Sequence, residues 1–181
     1  MLLCNKKCIN RHSLINKSIK VFGGLLKMSR KDKINYYLDI AQTVAQRSTC
    51  LRRKYGAIIV NNDEVISTGY NGAPRGCLNC TDIGTCKREE MKIPSGERYE
   101  LCRSVHAEQN AIISAARKDM VGATLYLAGI DAKTGKVLPV SEPCSLCKRF
   151  ILNSGITHVI MRNGEEYEVL ETSLWRLLDI L

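Results

Sequence analysis

The chain has 181 residues, of which 45% are hydrophobic and 25% charged, and this composition is typical of one globular domain with a sizeable core. No apolar run approaches the roughly 18 residues of a membrane-spanning helix, so the sequence predicts a cytoplasmic protein without a membrane span. Nine cysteines, an odd number, favour metal ligands over a disulfide framework.

The positive charge is concentrated in residues 1–27, which contain six lysines and arginines and no acidic residue. This segment accounts for +6 of the net charge of +9, so the remaining chain carries only +3. A mildly basic domain suits a small phosphorylated substrate, and this distribution gives little support to a nucleic-acid partner. We predict that residues 1–27 form a disordered basic extension, with a targeting segment as the alternative, and that residues 30–181 form the folded domain.

Three segments of the first half differ in pattern. Residues 31–47 place apolar side chains at helical spacing, which predicts a helix. In residues 55–70, two short apolar runs flank a polar stretch, as is typical of a β-hairpin. Residues 71–104 are rich in glycine, cysteine and charge and lack periodicity, so they predict a long ordered insertion.

The second half alternates between helical and strand patterns, which predicts an α/β architecture with helices packed on a mixed sheet. Pro143 and Gly155 mark the two ends of one of these helices. The predicted elements are a helix at 106–119, a strand at 123–130, a loop at 131–142, a helix at 143–155, a strand at 157–162 and a C-terminal helix within 173–181.

Three side chains that are common metal ligands stand at predicted helix starts. His106 begins one helix, and Cys144 and Cys147 lie in the first turn of another, where their spacing puts them on one face. Exposed N–H groups and the helix dipole stabilise thiolates at that position. One histidine and two cysteines leave the fourth tetrahedral position of zinc open to water. Glu108, two residues after His106, can accept a proton from such a water.

The combined pattern is far more specific than its halves. A lone His-x-Glu is common by chance, and a lone Cys-x-x-Cys also occurs in structural zinc sites and redox proteins. His106 and Glu108, followed by Pro143, Cys144 and Cys147, make the H-x-E and P-C-x-x-C pattern of zinc-dependent deaminases. A closed zinc site or unrelated thiols are the alternatives.

From about residue 30 to its C-terminus, the chain resembles the cytidine/deoxycytidylate deaminase superfamily, and within it the deoxycytidylate (dCMP) deaminases. Four stretches carry the resemblance: RSTCLRRKYGAIIV, GYNGAPRGC, PSGERYELCRSVHAEQNAI and EPCSLC. The resemblance implies a three-layer α/β/α fold around a central five-stranded mixed sheet. It also implies zinc-dependent hydrolysis of dCMP to dUMP, in which zinc hydroxide attacks C4 of the cytosine and ammonia is released.

The resemblance further implies roles for three residues. Glu108 would protonate N3 of the base and then the departing amine. The backbone N–H of Ala107 would bind O2 of the base, and Asn71 would contact the sugar. From the residues alone, Asn71-Gly72 is a turn dipeptide, and a turn is compatible with a sugar contact. In allosteric members of the family, the Gly-Tyr-Asn-Gly segment also takes part in binding the regulators dCTP and dTTP, and relatives are often homo-oligomers.

The insertion contains four cysteines that can form a second metal site: Cys77, Cys80, Cys86 and Cys102. The spacing of Cys77 and Cys80 is typical of a zinc knuckle, and four thiolates would close the coordination of a structural zinc. Family resemblance supports such a zinc in this region, although a cysteine stands here where a histidine is often found. Reduced thiols are the alternative.

Cys50 and a nearby basic cluster are predicted to have no catalytic role. Cys50 is predicted to be a buried thiol. A basic cluster before the first strand is predicted to be a solvated surface, with contact to a phosphate as the alternative. Its members are Arg47, Arg52, Arg53 and Lys54.

Two other functions compete with dCMP deamination. A deaminase of a base in RNA, such as a tRNA adenosine, needs a basic groove and a stacking surface, and the aromatic content here is only 6%. A deaminase-like module in DNA uptake, without catalysis, is the second alternative. Such modules usually lack a catalytic residue, whereas the complete set is present here.

Overall fold

The computed structural model describes residues 30–94 and 96–177. The chain divides into two compact units, residues 1–31 and residues 32–181. The predicted basic extension, residues 1–27, lies outside the described residues. The sheet and its helices belong to the second unit.

Five strands form one mixed sheet in the order β2-β1-β3-β4-β5. The central strands β3 and β4 are parallel, and the three other pairs are antiparallel. This architecture confirms the five-stranded mixed sheet that the family resemblance implies. The strands are β1 (Arg53–Asn61), β2 (Glu64–Tyr70), β3 (Thr124–Asp131), β4 (His158–Asn163) and β5 (Glu166–Glu171).

Seven α-helices accompany the sheet in the described part of the chain. The first begins where the Asp32 carboxylate accepts a hydrogen bond from the Asn35 N–H at 3.0 Å. The helices are α1 (Lys33–Ala45), α2 (Cys80–Ile83), α3 (Lys87–Glu90), α4 (Ala107–Ile113), α5 (Arg117–Met120), α6 (Ser145–Ser154) and α7 (Ser173–Leu177), with a 3₁₀ turn at Tyr99–Leu101.

Strand β1 supplies apolar side chains to two separate cores because successive residues point to opposite faces of the sheet. Ile58 and Val60 pack in the core that also contains Leu38 and Ala41 of α1. Ala57 and Ile59 pack in the other core, which contains residues of α4, α6 and α7. The sheet is therefore covered on both faces, as the predicted three-layer arrangement requires.

Two glycines let helices approach the sheet closely. A Cβ added at Gly56 would lie 2.1 Å from the Ala41 carbonyl oxygen of α1. A Cβ at Gly69 would lie 2.3 Å from the Ala107 carbonyl oxygen and 2.3 Å from the Ala111 nitrogen of α4. Both contacts are with backbone atoms, which cannot yield as a flexible side chain can. The position of α4 on β2 thus depends on the missing side chain at Gly69.

The structure differs from the sequence pattern in three places. The helix predicted at 106–119 is two helices, because α4 ends at Ile113 and α5 begins only at Arg117. Strand β5 was not predicted from the pattern, since its polar residues Glu166, Glu168 and Glu171 conceal the alternation. The ordered insertion predicted at 71–104 contains the short helices α2 and α3 and the 3₁₀ turn.

Candidate active site

Two helix starts bring the predicted metal ligands together. His106 is the N-cap of α4, and Cys144 is the N-cap of α6. The Nδ1 atom of His106 lies 3.4 Å from Sγ of Cys144 and 3.3 Å from Sγ of Cys147. The three ligand atoms lie within 4.8 Å of one another, and no other group of the described residues meets this criterion for a metal site.

The geometry of this trio fits zinc. Tetrahedral bonds of the usual Zn–N and Zn–S lengths place a nitrogen and a sulfur ligand about 3.5 Å apart. The observed separations of 3.3 and 3.4 Å are close to that value. Nitrogen and thiolate ligands are also the set that zinc prefers, and three protein ligands leave one position for water.

The pKa values of the Cys144 and Cys147 thiols are shifted in opposite directions. The hydrogen bond from Cys147 lowers the pKa of Cys144 to about 4, and His106 acts in the same direction. The same hydrogen bond, together with burial, raises the pKa of Cys147. Burial lowers the pKa of His106, but the hydrogen bond with Cys144 and the charge of Glu108 outweigh it, so the net shift is upward. The Cys144 thiol is therefore the more readily ionised of the two.

The Glu108 carboxyl group is buried beside these ligands. Only 5% of Glu108 is exposed, and it lines the same cavity as His106 and Cys144. Burial raises the pKa of Glu108, and the positive charge of His106 partly opposes this shift. A carboxyl group with a raised pKa exchanges protons more readily near neutral pH, which suits a general acid and base.

Asn71 lines this cavity, and internal hydrogen bonds hold its side chain. Its Oδ1 accepts from Oγ of Ser48 at 2.6 Å and from the backbone N–H of Tyr55 at 2.7 Å. Its Nδ2 donates to the Arg53 carbonyl at 2.9 Å. Asn71 and Gly72 do not form the predicted turn, and Gly72 pairs with Val105 in an isolated antiparallel bridge. Asn71 is therefore held rigidly, with one N–H left for a ligand.

The structure does not gather the four insertion cysteines as predicted. Cys77 is exposed and lines a second cavity, whereas Cys86 and Cys102 line the cavity of the candidate active site. Cys50, which was predicted to be a buried thiol, is only partly buried and lines that same cavity. Burial raises the pKa of Cys80, and the charges of Cys50, Cys86 and Cys102 act in the same direction.

The basic cluster around the start of β1 is also divided between two cavities. Arg52 and Arg53 line the active-site cavity, whereas Arg47 lines the second one. Sequence reasoning gave no role to five further residues of the active-site wall: Tyr55, Arg88, Tyr99, Ser104 and Glu142. Glu142 stands at the start of the EPCSLC stretch, next to the metal ligands, so its position was a usable signal. Arg88 lies outside every motif and reaches the cavity through the packing of the insertion.

Comparisons with known proteins agree with this geometry. The family model for the cytidine and deoxycytidylate deaminase zinc-binding region matches residues 31–163. The deoxycytidylate deaminase of Mycobacterium phage D29 is 41% identical over 138 residues, which cover 74% of this chain and 96% of that protein. The deoxycytidylate deaminase of Schizosaccharomyces pombe is 35% identical over 128 residues, which cover 70% of this chain but 35% of that protein.

A solved structure gives the same assignment. The dCMP deaminase of the cyanophage S-TIM5, determined in complex with dCMP and dUMP, superposes with a TM-score of 0.50 and 27% identity, covering 75% of this chain and 85% of that one. No helix among the described residues is long and apolar enough to cross a membrane. The sequence match, the sheet and the metal-ligand geometry lead to one conclusion: the chain belongs to the cytidine and deoxycytidylate deaminase family.

Proposed function

We propose that this chain catalyses the hydrolytic deamination of dCMP to dUMP with release of ammonia. The observation that carries the proposal is the buried Glu108 carboxyl group, which lines one cavity with His106 and Cys144 of the metal trio. The relatives named deoxycytidylate deaminase, and the S-TIM5 structure with dCMP and dUMP, support this substrate over other cytosine compounds.

The residues of the trio would hold one zinc ion through Nδ1 of His106 and the two sulfur atoms. When bound, zinc supplies a water of lowered pKa as the nucleophile at neutral pH. Glu108 accepts a proton from that water and delivers it to N3 of the cytosine ring. The second proton passes through Glu108 to the exocyclic amine, so water adds at C4, the C4–N bond breaks and ammonia leaves.

Two further contacts orient the substrate. We propose that the Ala107 N–H binds O2 of the base, because an N–H group in the first turn of a helix lacks an intrahelical acceptor. Asn71 contacts the sugar through the N–H that its internal hydrogen bonds leave over. The RNA-deaminase and DNA-uptake alternatives receive no specific support from the described residues.

Purified protein carrying zinc should deaminate dCMP, with the ultraviolet change from cytosine to uracil as the measurement. Deoxycytidine, CMP and a tRNA stem-loop serve as parallel substrates. We expect dCMP to be turned over with the highest kcat/KM, since the cavity is lined by three arginines, Arg52, Arg53 and Arg88, that suit a phosphate. Turnover of the RNA alone, or of no substrate, would contradict the proposal.

We also propose a second, structural zinc, with Cys50 in place of Cys77 in the predicted ligand set. The ligands are Cys50, Cys80, Cys86 and Cys102. Cys50, Cys86 and Cys102 line one cavity, whereas Cys77 lines the other, and this division supports the change. No three of these sulfur atoms lie within 4.8 Å of one another, so zinc binding has to draw them together. Four thiolates complete a tetrahedral site, so this zinc would stabilise the insertion without catalysing a reaction.

Metal analysis of matched serine variants distinguishes the two ligand sets. We expect two zinc ions per wild-type chain, one in the Cys50→Ser variant and two in the Cys77→Ser variant. The first substitution removes a ligand, and the second alters an exposed thiol outside the site. If Cys77→Ser instead lost one zinc and Cys50→Ser kept both, the original set of Cys77, Cys80, Cys86 and Cys102 would be correct.

Regulation by dCTP and dTTP, a homo-oligomeric state and a cytoplasmic location remain predictions. Residues of the Gly-Tyr-Asn-Gly segment line the second cavity together with Arg47 and Arg75, a setting that suits the triphosphates dCTP and dTTP. Adding either nucleotide to the dCMP assay tests this regulation. A homo-oligomeric state is tested by sedimentation equilibrium, and a cytoplasmic location by cell fractionation.

A further inference from the structure

The Arg88 side chain is a buried cation in the wall of the active-site cavity. Only 6% of Arg88 is exposed. Its Nη2 donates to the Pro94 carbonyl at 2.7 Å and to the Glu97 carbonyl at 2.6 Å. Its buried Nε has no hydrogen-bond partner. A buried guanidinium with an unused donor is costly unless a ligand supplies an acceptor.

In the described part of the chain, two other largely buried cationic side chains each pair with a carboxylate, whereas Arg88 does not. Lys148 pairs with the Glu142 carboxylate at 2.6 Å, and Arg162 pairs with the Asp39 carboxylate at 3.0 Å. Within the described residues, Arg88 has no ion pair.

The nearby carboxylate of Glu100 is not an ion-pair partner of Arg88 either. The pKa of Glu100 is lowered mainly by a backbone hydrogen bond and the hydrogen bond with Arg98 at 3.1 Å, with a smaller contribution from the charge of Arg88, and this carboxylate is exposed. The close contacts of Arg88 among the described residues are therefore with carbonyl dipoles and an aromatic ring, not with a carboxylate.

The aromatic ring connects Arg88 to the metal ligands. The guanidinium carbon lies 4.7 Å from the centre of the Tyr99 ring, a cation–π contact. Tyr99 in turn meets the His106 ring edge-on, with 5.1 Å between ring centres. One ring therefore separates the unpaired cation from the site where the base would be attacked.

We propose that Arg88 recognises the 5′-phosphate of the substrate and thereby selects a nucleotide over a nucleoside. This inference rests on the proposed deaminase function and assigns a specificity-determining residue to the same cavity. A phosphate supplies the acceptor oxygens and the negative charge that Arg88 lacks, and guanidinium groups bind phosphate through several directed hydrogen bonds. Arg52, which lines the same cavity, has Glu89 within 3.5 Å, so its charge is partly compensated.

The test compares dCMP with deoxycytidine in the wild type and in Arg88→Met. Methionine keeps apolar contact with Tyr99 and removes the charge. We expect kcat/KM for dCMP to fall by about 30-fold or more, the usual cost of removing one partner of a buried charge pair. The value for deoxycytidine should stay nearly unchanged, because that substrate has no phosphate. Arg98→Met, an exposed arginine of the same segment, is the matched control and should not alter the ratio.

Several outcomes overturn the proposal without touching the deaminase function. If Arg88→Met lowers kcat/KM equally for both substrates, then Arg88 stabilises the fold and does not recognise the phosphate. Arg53 is the phosphate-binding residue if Arg53→Met, and not Arg88→Met, removes the preference for dCMP. By contrast, a wild type that carries zinc and turns over neither substrate refutes the proposed function itself.

Folding controls and a competition assay on the wild type separate loss of phosphate recognition from loss of folding. Zinc content and circular dichroism establish whether Arg88→Met is folded, and Arg88→Lys, which keeps a cation, should retain part of the dCMP preference. If neither variant folds, competition by inorganic phosphate against the wild-type enzyme tests the proposal. Inorganic phosphate should then compete with dCMP but not with deoxycytidine, and absence of competition with dCMP overturns the inference.

Discussion

The Glu108→Gln variant should bind zinc normally and lose most of its turnover. Glutamine has the shape of glutamate but cannot take a proton from water or deliver one to N3. Loss of a positioned general acid and base lowers kcat by about 10²- to 10⁴-fold. The substitution should not destabilise the fold, because Glu108 is buried and burial already disfavours its charged form.

The measurement pairs kcat for dCMP with the zinc content of the same preparation. Glu100→Gln is a suitable control, since this exposed carboxylate outside the cavity pairs with Arg98. Wild-type turnover in Glu108→Gln would refute the proton-transfer role. Loss of zinc together with activity would instead show that Glu108 supports the metal site.

The Cys147→Ser variant should lose the catalytic zinc and all measurable deamination. Cys147 is fully buried, so no solvent-exposed group can replace its sulfur. Only His106 and Cys144 would remain as ligands, which is too few for a stable zinc site. A bound metal at a thousandfold excess over its Kd contributes about 4 kcal/mol to the free energy of unfolding, and the variant forfeits that contribution.

Zinc analysis, thermal unfolding and the dCMP assay on one preparation test this prediction. The variant should keep the proposed structural zinc, so its content falls from two ions to one, and its Tm should decrease. Cys77→Ser is the matched control, because it also removes one thiol but leaves both proposed sites intact. Deamination by Cys147→Ser at the wild-type rate would exclude the trio as the catalytic metal site.

Local sequence was sufficient for the catalytic ligands. Cys144 and Cys147 meet because they lie within one helical turn, and Gly155 ends that helix in a left-handed conformation, as predicted. The pairing of His106 with these cysteines required the motif as a whole. By contrast, the interrupted helix after Ile113 and the polar edge strand β5 could not be read from periodicity. The first lacks a glycine or proline at the break, and the second depends on pairing with β4.

The chemistry of the metal trio and its proton-transfer group was determined by the sequence itself, because few residue types bind zinc and their spacing is local. The tertiary structure decided which distant groups share that cavity. It placed Cys50 in the same cavity as Cys86 and Cys102 and Cys77 at another, and it buried Arg88 without an ion-pair partner among the described residues. Such contacts join segments far apart in the chain, and only the packing of helices and insertion on the sheet specifies them.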